Sequence, residues 1–140
     1  MSTARDAFKK KILEEMTVDY TDTLQKNFDL AKQFVRVTND GHVDLLVKEK
    51  VGGKDQILLY LIGKMYAKEA GLSPSDDVGN EELERELQIK TGSLLPWLKE
   101  LRDTNKVKQV RREAHVYHSL PPNQIESTLK LLEKKVKKGS

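Results

Sequence analysis

Three histidines, His42, His115 and His118, are the side chains best suited to hold a metal or move a proton at neutral pH, and their placement favours neither. His115 and His118 are three apart within the extended pattern AHVYH, where side chains alternate faces. Their rings therefore point apart and make a poor metal pair. His42 stands beside Asn39-Asp40-Gly41 and reads as an exposed strand residue. The acids around Asp76 lack the alternating Asp/Asn loop, the glycine and the closing glutamate of a calcium site. Val51-Gly52-Gly53-Lys54 lacks the upstream glycine and following Ser/Thr of a phosphate loop. No serine lies in a nucleophile elbow. The expectation is a protein that is not an enzyme and calls for no metal and no cofactor.

Composition narrows the class further. The 140 residues contain no cysteine, which removes disulfides and thiolate chemistry and suits a cytoplasmic protein. No apolar run approaches the ~18 residues of a membrane span, and the basic start (Arg5, Lys9, Lys10, Lys11) is not followed by a signal-peptide core. Hydrophobic residues make up 37% and charged residues 34%, enough for one core under a heavily solvated surface. The net charge is only +3, but it is unevenly spread. Ser73 to Gln88 carries six acids against Arg85, whereas Asn105 to Ser140 carries nine Lys/Arg against three Glu. Either an oriented electrostatic surface or two solvated faces accounts for that split.

The elements that must position these charges follow from periodicity. Ala4 to about Asn27 reads as helix, with Phe8, Ile12, Met16, Tyr20, Leu24 and Phe28 at steps of four. Thr17, Val18 and the Asp19–Thr23 stretch weaken its middle, so one helix or two with a break fits. The stripe serves either the core or a dimer seam. Val35 and Val37, then Val43, Leu45 and Val47, alternate around Asn39-Asp40-Gly41 and predict a β-hairpin. Lys54 to Ala70 predicts a central helix through Ile57, Leu58, Leu61, Ile62, Met65 and Tyr66, stopped by Gly71. LSPSDDVGN reads as loop.

From Asn80 onward a recognisable order appears. NEELERELQIK predicts a short helix at about Glu81–Leu87, with Asn80 as N-cap and Ile89 as an apolar plug in the turn. Ser93 to about Thr104 predicts a second helix burying Leu94, Leu98 and Leu101, with Ser93 as its cap and Pro96 inside the first turn. Val107–Val110 and Ala114–His118 predict two strands around a turn at Arg111-Arg112-Glu113. After Pro121-Pro122, Ile125, Leu129, Leu132 and Val136 mark a last helix.

The order helix, helix, turn, helix, hairpin, with Leu83, Leu87, Ile89, Leu94, Leu98, Leu101 and Val107 at their spacings, resembles the winged helix-turn-helix superfamily over about residues 54–120. The likeness is to small bacterial and archaeal transcription regulators. The expected fold is mainly α with small β-hairpins (α+β): a winged helix-turn-helix at 54–140 preceded by a helix and hairpin extension at 1–53. The resemblance implies double-stranded DNA as partner. It places Lys90, Thr91, Ser93, Leu95, Pro96 and Lys99 toward the major groove, and Lys106, Lys108, Arg111, Arg112 and His115 on the wing. In it, a terminal helix often pairs in a homodimer, although here that helix can instead pack back on the N-terminal one.

Two features of the pattern pull against simple base reading. Leu95 and Pro96 can touch a thymine methyl but make no paired hydrogen bonds to base edges. The acids of Glu81–Glu86 would repel phosphates unless they point away. The alternative reading is a protein-docking module using Leu95, Pro96 and Trp97, and an RNA-binding component is a third. An accessible Trp97 favours a protein partner, and a packed one favours nucleic acid.

Overall fold

A computed structural model describes residues 3–16 and 20–138. It is an α+β molecule, mainly helical, with two small antiparallel sheets. The chain runs α1 (Ala4–Glu15), α2 (Tyr20–Lys26), α3 (Phe28–Ala31), β1 (Val35–Val37), β2 (Val43–Leu45) and α4 (Gly53–Glu69). It continues through β3 (Val78–Gly79), α5 (Asn80–Leu87), α6 (Thr91–Asp103), β4 (Lys108–Arg112), β5 (His115–Ser119) and α7 (Ile125–Lys138).

Helix α4 is the centre because it is apolar around nearly its whole circumference. Ile57, Leu58, Leu59, Tyr60, Leu61, Ile62 and Met65 are all buried, which is the signature of a helix covered on several sides. Phe34, Val35 and Val43 cover it from the hairpin side. Leu83 and Leu87 of α5, Leu94, Leu98 and Leu101 of α6, and Ile125, Leu129 and Leu132 of α7 complete the same core. No helix among the described residues is long and apolar enough to cross a membrane.

The β1–β2 hairpin forms where the alternation predicts it, with Val35 opposite Leu45 and Val37 opposite Val43. Gly41 turns the chain at φ +86°, and a Cβ there would lie 2.4 Å from the Leu72 carbonyl oxygen, so only glycine fits. Gly63 serves a different need. A Cβ on it would fall 2.4 Å from Cγ1 of Val43, so its bare backbone lets the hairpin lie directly on α4.

Several expectations are corrected. The N-terminal stretch takes the two-helix alternative, α1 and α2, with the short α3 following from Phe28, and the weak positions Thr17, Val18 and Asp19 lie outside the described residues. The stripe therefore splits: Leu24 is buried, whereas no residue of α1 is, and Phe28 stays exposed. The supposed loop before α5 contains β3, which pairs antiparallel with β5 and makes a three-stranded sheet of order β3-β5-β4. Gly79, not Asn80, is the N-cap of α5. Helix α6 begins at Thr91 with Lys90 as its cap, three residues earlier than a cap at Ser93 would place it. Pro96 is thus the sixth helical residue, in the second turn, where its missing N–H leaves the Gly92 carbonyl without its i+4 donor. The turn of the second hairpin lies at Glu113-Ala114, with Glu113 at φ +56°, so Arg111 and Arg112 belong to strand β4 and not to the tip. The terminal lysines extend a folded helix: Lys135 of α7 reaches Asp55 at 2.9 Å.

Candidate nucleic-acid interface

Helix α6 is held at both ends. Its inner face buries Leu94, Leu98 and Leu101. At its start the Thr91 hydroxyl donates to Glu84 of α5 at 2.5 Å, and further along Glu100 accepts from Lys54 at 2.6 Å. Gln88, left-handed at φ +56°, ends α5, and Ile89 plugs the turn between the two helices. The outward face then presents Leu95, Lys99 and Arg102 at steps of four and three, with Pro96 beside them.

Against that face lies one side of the sheet. Antiparallel partners share a face, so Gln109 with His118 and Arg111 with Val116 point one way, while Lys108, Val110 and Arg112 point the other. Leu95, Pro96, Lys99 and Arg102 of α6 and Gln109, Val116 and His118 of the sheet line an open groove of about 530 Å³. Arg111 extends the sheet side of it by one step along the strand.

His118 is the buried corner of this groove. Its Nε2 donates to Oδ1 of Asn80 at 2.6 Å, and Nδ1 has no partner among the described residues. Burial, reinforced by the positive charge of Arg102, pushes its pKa down to about 4, so the ring is neutral at physiological pH.

The expected site residues are divided by this geometry. Lys90, Thr91 and Ser93 lie exposed at the start of α6, although the Thr91 hydroxyl is already engaged with Glu84. Lys99 lines the groove while pairing with Asp103 at 3.0 Å on the same helix. Lys108 and Arg112 occupy the opposite face of the ribbon. There Arg112 stacks 4.7 Å over the Tyr117 ring and pairs with Asp77, so it is tethered within the molecule. Lys106 lies elsewhere, beside Lys54, Asp55, Glu100 and Lys135. His115 is exposed at the ribbon end. Leu95 is 47% exposed and Pro96 is exposed with it. Trp97 is packed, because a Cβ on Gly53 would meet its indole at 2.1 Å.

Arg102, Gln109 and the Asn80–His118 pair were not singled out from the sequence. Arg102 was open to detection, because it lies seven residues after Leu95 and three after Lys99 on one helix face. Gln109 is two before Arg111 in an extended run. The Asn80–His118 contact carried no local signal.

Of the four acids of α5, Glu82 and Glu86 are engaged away from the groove, whereas Glu84 accepts from Thr91 at the start of α6. Glu82 accepts from the Tyr60 hydroxyl at 2.5 Å and pairs with Lys64 at 3.4 Å, and Glu86 lies 3.6 Å from Nδ1 of His42. Burial and Glu82 together push the Tyr60 phenol far above its ordinary range. No cluster of three or more metal-ligating side chains occurs among the described residues. No protein-family model, curated protein or solved structure matches this chain.

Proposed function

We propose that this chain is a winged-helix DNA-binding protein acting as a transcriptional regulator, with α6 entering the major groove and the β4–β5 ribbon serving as the wing. The observation that carries this reading is the groove between α6 and the ribbon, lined by Lys99 and Arg102 and continued along the strand by Arg111, whose cations suit a sugar-phosphate strand. The order α4-β3-α5-α6-β4-β5, with β5 between β3 and β4, supports the winged-helix assignment. The inward engagement of Glu82 and Glu86 supports it again, since it lowers the repulsion that α5 would impose on phosphates.

Contacts of this kind are mostly to the backbone, with limited base reading from the α6 start at Lys90 and Ser93 and from Gln109. The test is fluorescence anisotropy of the full chain with random duplex DNA across a salt series. Micromolar binding is expected, with a log–log salt slope of about −3 to −4 if Lys90, Lys99, Arg102 and Arg111 each displace a counterion. Absence of binding at low salt overturns the proposal. Tighter binding to duplex RNA would transfer it to that polymer. The exposed Leu95-Pro96 pair favours a protein-docking surface as the second reading, but Trp97, packed on Gly53, is not free to join it.

A further inference from the structure

Helix α1 is well capped, yet it buries none of its own residues. Thr3 and Asp6 form a reciprocal capping box, the Asp6 amide donating to Thr3 Oγ1 at 3.1 Å and the Thr3 amide to Asp6 Oδ2 at 3.3 Å. None of its 12 residues is buried. Phe8 is 64% and Met16, its cap residue, 77% exposed, and with Ile12 they stand at steps of four along one side. Helices of ~12–15 residues or fewer are marginal in water unless a face is packed, so α1 needs a surface to lie on.

The described residues offer an open apolar surface of suitable size. A groove of about 650 Å³ runs between α3, β1 and the end of α4, with Phe28, Ala31, Val35, Val37, Tyr66 and Leu72 forming its floor. Phe28 is 51% exposed and touches the Tyr66 ring at a centroid distance of 6.2 Å. Lys32, Arg36 and Glu69 also line it, with Lys32 pairing with Asp29 at 3.2 Å.

We propose that α1 of one copy docks in this groove of a second copy, and that the exchange is reciprocal, giving a symmetric dimer. Phe8, Ile12 and Met16 enter the apolar floor as a helix-in-groove contact. Charge sets the direction. Glu14 and Glu15, at the C-terminal end of α1, face Lys32 and Arg36, while Arg5 and Lys9 at the other end face Glu69. The occupant is a second copy because this chain supplies both halves of the complementary pair. Two-fold symmetry then fills two grooves with two helices at once. One short helix in one groove is a small contact, and the two-fold doubles it. The other terminal helix is committed elsewhere: Ile125, Leu129 and Leu132 of α7 are buried in their own chain.

Sedimentation velocity of the full chain from about 1 to 100 μM tests the proposal. A species of twice the 16.0 kDa chain mass is expected. Phe8→Glu and Phe28→Glu should each return it to monomer, with a circular dichroism melt that matches the wild-type chain diluted below its dimer range, because both side chains are exposed in the monomer. Glu15→Arg and Arg36→Glu should each weaken the dimer several-fold, and together restore it. Because the chain has no native cysteine, Met16→Cys mixed with Val37→Cys should give the mixed disulfide dimer. A monomer at every concentration overturns the proposal. So does a dimer lost on Phe8→Glu but indifferent to Phe28→Glu, or one in which Met16→Cys couples to itself, since either outcome places α1 against α1.

Discussion

Nε2 of His118 lies 2.6 Å from Oδ1 of Asn80, joining the return strand β5 to the first residue of α5. The bond uses the neutral ring, and the surroundings keep it neutral. An unfolded histidine titrates near 6.5, whereas His118 in the fold titrates at about 4. Between those values only the unfolded chain takes the proton. Stability is therefore unaffected by this group above pH 6.5 and falls as pH drops from 6.5 toward 4. The gap between the two values corresponds to about 3 kcal/mol. Urea unfolding at pH 7 and pH 4.5 should show a loss that is smaller in His118→Gln. An NMR titration placing the His118 midpoint near 6.5 would remove the effect.

Adjacent arginines on β4 should behave differently. Arg111 faces the groove side, whereas Arg112 is tied to Asp77 and Tyr117. On the proposed function, Arg111→Ala should weaken binding to all duplexes and flatten the log–log salt slope by about 1. Arg112→Ala should leave the slope nearly intact and cost roughly 1 kcal/mol of stability. Salt-dependent anisotropy and urea unfolding of the two variants separate these roles, and equal slopes in both would remove the distinction.

Gly63 reverses the usual helix rule. In an exposed helix, Gly→Ala stabilises by about 1 kcal/mol. Here the new methyl would strike Val43, so Gly63→Ala should destabilise by about 1–3 kcal/mol. Adding Val43→Ala should recover part of that loss, and a double-mutant cycle in urea measures the coupling. Simple additivity would mean that the hairpin does not press on α4 at this point.

Pro96 weakens the helix it occupies. Pro96→Ala restores a donor to the Gly92 carbonyl, against a modest rise in the entropy of the unfolded chain. The net expectation is a stabilisation of about 1–2 kcal/mol by chemical denaturation. A loss of stability would show that the proline ring, packed along the groove, supplies more than its missing bond removes.

Periodic elements were legible in the sequence, and long-range ones were not. The hairpin around Asn39-Asp40-Gly41 and the apolar girth of α4 announce themselves within a single turn or strand. Strand β3 is two residues long, too short to alternate, and exists because β5 lies beside it. The start of α6 was misplaced because Ser93 is a better capping residue than Lys90, and that shift moved Pro96 by a turn. The tether of Arg112 depends on Asp77, which only the folded sheet brings near. Of the proposed interface, Lys99 and Arg111 were readable, but the division of the ribbon into two faces required the register of β4 on β5.

The Asn80–His118 bond also completes a circuit. From Asn80 the chain runs along α5, which Glu84 fastens to Thr91; α6 leads to β4, β4 pairs with β5, and His118 of β5 returns to Asn80. A hinge opening at any one place would have to break a fastening at another. The spacing between α6 and the ribbon thus behaves as a gauge of set width. On the proposed function, a duplex must bring the right backbone spacing or be bent to it, so DNA stiffness itself becomes a criterion of selection where no base is touched.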